Sequence, residues 1–378
     1  MAKVRFGDIV RDVKINVDRD NNPYENYIAG DHMDSEDLTI HRYGSFATDD
    51  VGPAFTRIFK PGQILYGSRR TYLKKVAVAE FEGICANTTF VFESKDEAVL
   101  DNRLLPFIML SDAFTRWSIA HSKGSTNPYV LFSDLADYEF ELPTIAEQKV
   151  LADKLWAAYR LKESYKKLLA ASQEMVKSQF IEMIGSRDWP QMKLKDIVHE
   201  DCPISYGIVQ PGDDLEDGVP IVRPIDMNET HLIDKNTLKH TSKEISDSYS
   251  RTILRGDEIL VCVRGTTGLI ALADGLKGCN VTRGITPLYF KPQFSRDYLF
   301  RAFLGQQVQD YIQDNTIGST LKGINMSKLR ELPICMPPEV VQEQFVTIAQ
   351  QADKSEFELR KSIEAIDKVI KSLINENL

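Results

Sequence analysis

The sequence predicts an α+β protein built from two similar domains, each followed by a long helix, with the two helices pairing as an antiparallel coiled coil. Three observations predict it. Short sequence blocks recur in the same order at a nearly constant offset. Each half opens with short β-type runs separated by turn signals. Each half closes on a helical pattern too long for a domain of this size to cover. At 378 residues the chain has room for two to three domains, each burying its own core.

The repeat is read from the loops outward. Gly124-Ser125-Thr126 recurs as Gly318-Ser319-Thr320, an offset of 194, which also carries Phe132-Ser133-Asp134-Leu135 onto Met326-Ser327-Lys328-Leu329 and Leu142-Pro143 onto Met336-Pro337. Two residues are then inserted, so that Glu147-Gln148 meets Glu343-Gln344 at offset 196. Upstream, Gly62-Gln63-Ile64-Leu65 corresponds to Gly256-Asp257-Glu258-Ile259-Leu260, and Arg69-Arg70-Thr71 to Arg264-Gly265-Thr266. The start of each half matches more faintly, Gly7-Asp8-Ile9-Val10 against Lys195-Asp196-Ile197-Val198.

The elements follow in the same order twice. Gln63–Gly67 and Thr89–Phe92 read as strands, as do Glu258–Val263 and Leu288–Phe290. A helical stretch covers about 103–120 and again 297–313, followed by the Gly-Ser-Thr loop and a short strand ending at a proline. Each long helix starts just after Pro143 or Pro338, where helices often begin. Leu151, Leu155, Ala158, Leu161, Tyr165, Leu168, Ser172 and Met175 advance by threes and fours. Phe345, Ile348, Ala352, Ser355 and Leu359 do the same, and Ile363, Ile366, Ile370 and Leu373 resume after one extra residue. This is a seam of period 3.5, and at 1.5 Å per residue each rod runs to roughly 55–60 Å. Ordinary core helices would show the same spacing, but these outrun the domains that would have to cover them. The expected division is 1–143, 144–189, 190–337 and 338–378, with the rods holding the globular parts apart as a spacer.

Composition bounds the function. Hydrophobic residues at 43% and charged residues at 27% are globular values, and no apolar run approaches the roughly 18 residues of a membrane span. The amino terminus lacks the apolar stretch of a secretory signal. Five scattered cysteines and six unclustered histidines argue against a disulfide framework or a structural metal, and for the cytoplasm. The net charge of −9 divides as −6, +2, −2 and −3 over the four segments. No segment has the basic footprint of a simple nucleic-acid binder, so any DNA contact must be local or shared with a partner.

Over essentially its whole length the sequence resembles the specificity subunit of a Type I restriction–modification system. The carrying motif occurs twice: Gly-Ser-Thr, then Ser133-Asp134-Leu135 or Ser327-Lys328-Leu329, then a proline and a Glu-Gln leading into a long helix. The second half adds Tyr206-Gly207-Ile208-Val209-Gln210-Pro211-Gly212 and Gly218-Val219-Pro220-Ile221-Val222-Arg223, which is how such target-recognition domains begin. The first half has only Tyr27-Ile28-Ala29-Gly30-Asp31-His32-Met33, so the two domains are expected to read different sequences. The resemblance implies a non-catalytic subunit with two target-recognition domains that reads a bipartite target in double-stranded DNA, the paired helices setting the gap. It implies docking of two methyltransferase subunits on those helices, joined by restriction and motor subunits. S-adenosylmethionine would sit on the methyltransferase partner, with no cofactor on this chain.

Reading DNA requires side chains at base edges and donors that fix register on phosphate. Ser68, Arg69, Arg70, Tyr72, Lys74 and Lys75 form the densest basic stretch of the first half, with Arg264, Thr266 and Thr267 as its counterpart. Lys123, Gly124, Ser125 and Thr126, and in the second half Gly318, Ser319, Thr320 and Lys322, offer small donors and a lysine suited to a phosphate oxygen. Such a loop can also be a turn whose hydroxyls cap the next segment. Arg223, Arg283 and Lys239 are further DNA candidates. Glu147, Gln148, Glu343 and Gln344 lie in the first turns of the rods, where they complement the helix dipole, anchor the rod to its domain or dock a methyltransferase.

The sequence fits two other classes less well. An enzyme within this chain is disfavoured: Asn127-Pro128-Tyr129 lacks the second proline of an amino-methyltransferase motif, and no G-x-x-x-x-G-K-[ST] phosphate loop occurs. A coiled-coil scaffold without DNA readout, or the specificity part of a related methyltransferase–nuclease system, are the remaining alternatives.

Overall fold

The computed structural model describes residues 2–18, 21–228, 230–318 and 322–378. Ser319 and Thr320 lie outside the described residues. The chain forms two compact units, one of residues 1–168 with 359–378 and the other of residues 169–358. The boundaries fall inside the two long helices, at 168/169 and 358/359.

In the first unit, strand Ala2–Arg5 pairs antiparallel with Glu139–Leu142, with Val4 opposite Phe140, so the domain closes on its own beginning. A four-stranded sheet follows in the order Val10–Asp12, Thr89–Ser94, Ile64–Gly67, Val76–Val78. A second sheet runs Gly44–Ser45, Asn26–Ile28, Gly83–Ala86, Phe55–Phe59, in which 26–28 and 83–86 are parallel. Phe6, Phe92, Phe107 and Phe114 are fully buried in one core, each contributing about 2–3 kcal/mol of burial.

The second unit repeats this plan. Gln191–Lys193 pairs with Pro333–Cys335, Ile259–Cys262 lies between Ile270–Leu272 and Ile285–Leu288, and Ile221 pairs parallel with Asn280 as Tyr27 does with Ile84. The single helix expected near 103–120 is two, Leu105–Leu110 and Asp112–Ala120. Ser111 takes an extended conformation between them, and its hydroxyl caps Phe114 N–H at 3.2 Å. Gly305 breaks the counterpart into Arg296–Leu304 and Gln306–Asp314 in the same way.

The long helices are α1 (Ile145–Phe180) and α2 (Glu339–Asn377). In the first unit Leu155 and Tyr159 share a core with Ile370 and Ile374, and Lys162 pairs with Asp367 at 2.5 Å. In the second, the Phe180 and Phe345 rings lie 5.3 Å apart and Gln173 donates to Glu356 at 3.2 Å. Residue numbers rise on one helix as they fall on the other, so the pairing is antiparallel in each unit.

The seam differs in phase from the sequence reading. On α1 the inward side chains are Gln148, Leu151, Ala152, Leu155, Tyr159 and Lys162, so Leu151 and Leu155 of the expected seam are kept, while Leu161 and Leu168 are about half exposed. On α2 they are Phe345, Ala349, Ala352, Ile370 and Ile374. Ala349 replaces the expected Ile348, and the sequence from 345 to 374 needs no extra residue. Small and polar side chains hold seam positions, which apolar periodicity alone skips.

The two-residue insertion at the helix starts is also corrected. Gln148 Nε2 donates to Pro143 O, five residues back, at 2.8 Å, and Gln342 Nε2 donates to Pro337 O at 2.8 Å. Gln148 therefore corresponds to Gln342 at the original offset, and the Glu-Gln of 343–344 is a coincidence of composition. No helix among the described residues is long and apolar enough to cross a membrane.

Candidate nucleic-acid interface

In the first unit, strand Ile64–Gly67 delivers the chain to a loop whose shape sorts its side chains. Ser68 turns inward, its Oγ donating to Thr88 O at 2.6 Å. Arg70 and Lys74 adopt left-handed conformations (φ 51° and 48°) on either side of a short 3-10 turn, Thr71–Leu73. Each costs on the order of 1 kcal/mol for a residue with a side chain. The turn draws Thr71 into the interior, within 3.3 Å of Ser122 Oγ, and leaves Arg69, Arg70 and Tyr72 exposed.

The Gly-Ser-Thr loop lies against this one. Arg69 and Tyr129 form a β-bridge, as do Lys123 and Tyr129, and Arg70 N donates to Pro128 O at 2.7 Å. Arg70 Nε donates to Asn127 Oδ1 at 3.2 Å, which fixes the guanidinium direction. Lys123, Gly124, Ser125 and Thr126 are exposed beside it, and Lys123 is paired with Asp134 at 2.9 Å. The Arg69 side chain has no ion pair or hydrogen bond among the described residues and is exposed.

Lys74 and Lys75 face the other way. Lys74 Nζ sits 3.0 Å from Asp112 and 3.4 Å from Glu36, and Lys75 Nζ donates to Gly30 O. The bond from Lys74 holds the Asp112 carboxyl below its usual range. Burial pushes Glu36 up, but Lys371 and Lys74 outweigh it and its carboxyl ends low. These two lysines brace the loop rather than extend the exposed cationic edge.

The second unit builds the same edge. Gly265 N donates to Lys322 O at 2.9 Å and Arg264 bridges to Gly323, so the Arg-Gly-Thr loop again runs beside the segment after Gly318. Gly318 and Lys322 are exposed. Thr266 is exposed, while Thr267 is buried and its Oγ1 accepts from Thr316 at 3.3 Å. Gln309 and Gln313 clamp the loop by donating to Gly268 O and Thr267 O at 3.0 and 3.2 Å. A side chain at Gly268 (φ 91°) would put its Cβ 2.6 Å from Gln309 Oε1. Arg283 is exposed and lies 5.8 Å over the Tyr206 ring. Arg223 is chelated by Asp226 at 3.0 and 2.7 Å, and Lys239 is exposed on a strand.

The rod residues divide. Gln148 is 1% exposed and bonds Asp101 N, Val99 O and Pro143 O, so it anchors α1 to its own unit and is not available for docking. Glu147 caps Thr144 at the helix start, accepting from its N–H and hydroxyl at 2.9 and 2.8 Å. Glu343 and Gln344 are exposed and line a groove with Met183, Val340, Thr347 and Ile348. The sequence reading missed Tyr129, Gln309 and Gln313. Tyr129 follows the loop motif directly; the two glutamines act through carbonyls of a distant loop and leave no local signal.

Among the described residues one group could hold a cation: Asp37, His41 and Glu163 bring their ligand atoms within 4.8 Å of one another. Lys166 already fills that role, with Nζ 2.9 Å from both carboxylates.

The model of the Type I restriction modification DNA specificity domain matches residues 13–171 and again 186–367. The chain belongs to the Type I restriction–modification DNA specificity family. The specificity subunit of Type I restriction enzyme EcoBI from Escherichia coli is 24% identical over 288 residues, 68% of this chain and 60% of that protein. This chain therefore spans less than two thirds of that relative's length. The fold is shared with the Type-I restriction-modification system S subunit from M. genitalium, with a TM-score of 0.58 at 12% identity over 100% of this chain and 96% of that one. It is shared as well with a chain from a structure of complex assembly and conformational transition in the type I R-M system. There the TM-score is 0.60 at 17% identity, over 100% of this chain and 98% of the other.

Proposed function

We propose that this member of the specificity family reads a bipartite target in double-stranded DNA, one half with each globular domain, and carries out no chemistry itself. One observation carries the reading: both units present the same edge. In each, an arginine-bearing loop after a central strand is bridged to the segment after the Gly-Ser-Thr motif, through Arg69 and Tyr129 in one and Arg264 and Gly323 in the other. Shared loop backbone suits phosphate, which fixes register, and side chains that differ between the edges suit bases.

The helices dock two methyltransferase subunits, which bind S-adenosylmethionine, and restriction and motor subunits join them in the cytoplasm. The outer face of α1 supports this. Within the first unit Val150, Leu161 and Leu168 are 56%, 45% and 54% exposed, and at 100° per residue they fall within about 20° of one line along the helix. A surface stripe of that kind is what a partner helix covers. Net charge −9 fits a subunit whose partners supply part of the cationic clamp.

Exchanging residues 1–143 for those of another family member tests the reading. One half of the methylated target should change and the other stay; an unchanged target would refute it.

A further inference from the structure

The two domains share a scaffold but differ in two side chains on the proposed DNA edge, and we infer that these set which bases each domain reads. The inference rests on the DNA-reading function proposed above. The first position is the tip of a short 3-10 turn, Gly30–His32 in one domain and Pro224–Asp226 in the other. Both turns follow the strand that pairs parallel with a second strand, and both are closed by their last residue. His32 Nδ1 accepts from Ala29 N at 3.1 Å, and Asp226 Oδ2 from Arg223 N at 2.8 Å. A buried methionine follows each, Met33 and Met227. The tip is therefore Asp31 in the first domain and Ile225 in the second.

Ile225 is 81% exposed, more than any other large apolar side chain on the described surface. Its turn is rigid: Arg223 holds Asp226 with two bonds, and Pro224 packs so closely on Gly284 that a Cβ there would come within 2.5 Å of it. An isoleucine held outward on a braced turn exposes apolar surface at a cost that burial against a ligand would recover.

The second position follows from the backbone. Val263 N donates to Gly284 O at 2.7 Å as Ser68 N donates to Thr88 O at 3.0 Å, each just before the arginine of its loop. Gly284 thus corresponds to Thr88, and Arg283 to Asn87, both exposed. Arg283 is pre-oriented by Tyr206, 5.8 Å beneath it. The first-domain turn is tied to its own arginine loop by Lys75, which donates to Gly30 O.

Each edge therefore has a common arginine, Arg69 or Arg264, and a differing pair, Asp31 with Asn87 or Ile225 with Arg283. Base-edge chemistry gives each pair a reading. Isoleucine meets the 5-methyl of thymine and arginine the O6 and N7 of guanine. Aspartate accepts from the cytosine N4 amino group, and asparagine pairs with the N6 and N7 of adenine. The second domain reads thymine and guanine at these positions; the first reads cytosine and adenine.

The test uses the full chain assembled with its methyltransferase subunits on duplexes carrying the methylated target. Replacing the contacted thymine by uracil removes one methyl and should weaken wild-type binding about fourfold. Ile225→Ala should bind thymine and uracil duplexes alike. Arg283→Asn should reduce discrimination for guanine at one position by about 5- to 150-fold, leaving the other half-site unchanged. Thermal unfolding serves as the control for folding, since both side chains are exposed. Retained thymine and guanine preference in the variants would overturn the inference, as would an equal loss of binding on every sequence. Exchange of residues 190–337 separates the two levels. If the exchange alters the half-site and the point variants do not, these residues are not the readers. If the exchange alters nothing, the DNA-reading proposal fails and takes this inference with it.

Discussion

Replacing Gln148 by alanine tests how the first rod is fixed to its domain. The Gln148 amide is buried at the start of α1, with Oε1 accepting from Asp101 N at 3.0 Å and Nε2 donating to Val99 O and Pro143 O at 2.9 and 2.8 Å. Truncation leaves one backbone donor and two acceptors without that partner. A buried polar group so stranded costs about 1–3 kcal/mol, and the acceptors, having second lone pairs, fall at the low end. The expected loss is about 3–5 kcal/mol. Gln342 offers an internal comparison, with one such bond, to Pro337 O at 2.8 Å, in a half-buried setting; Gln342→Ala should cost about 1 kcal/mol. Urea unfolding of the full chain, followed at the transition of the affected unit, gives both values from the midpoints at unchanged m. Equal costs for the two variants, or less than about 1 kcal/mol at Gln148, would mean that these bonds do not fix the rod to its domain.

Other consequences are as direct. Burial raises the Asp37 carboxyl, but hydrogen bonds from Tyr159, Lys166 and Thr39 N outweigh it and bring its pKa to about 2. A depressed carboxylate contributes stability that is present above its unfolded pKa near 4 and lost as pH falls through about 2. That amounts to roughly 2 kcal/mol. Acid titration of unfolding should show this slope in wild type and not in Asp37→Asn; the same slope in both would exclude it. Gly268→Ala forces a side chain at φ 91° toward Gln309 and should cost about 1–3 kcal/mol. A Gln309→Ala partner mutation should recover only the steric part, measured by the same unfolding assay. Arg69→Ala, removing an exposed cation, should weaken binding of the assembled complex and reduce the salt slope of log K by about 1 if it contacts phosphate. An unchanged slope with altered base preference would place it at a base instead.

Legibility followed the kind of signal each element leaves. The repeat was readable because Gly124-Ser125-Thr126 and the prolines at 143 and 337 are local and chemically distinctive. The juxtaposition of the Arg69 loop with the Gly-Ser-Thr loop was not, since it depends on a β-bridge across 60 residues. Apolar periodicity found both rods and the buried Leu151, Leu155, Phe345, Ala352 and Ile370, but misplaced the rest of the seam, because Gln148, Lys162 and Ala349 hold inward positions through hydrogen bonds, an ion pair or small size. The apparent Glu-Gln match at 343–344 misled for the complementary reason: identity of residue type is weaker evidence than identity of bond, and Gln342 makes the bond that Gln148 makes. Composition marked Lys74 and Lys75 as DNA candidates, yet left-handed backbone at Lys74 and the carboxylates around it turn them to bracing.

We propose that two like edges read two halves of one DNA target. Genome-wide mapping of adenine methylation in the source organism, with the gene intact and deleted, tests it most directly. Deletion should remove one split motif, and restoring the gene should return it. Retention of every methylated motif in the deleted strain, with the partner methyltransferase expressed and active, would contradict it.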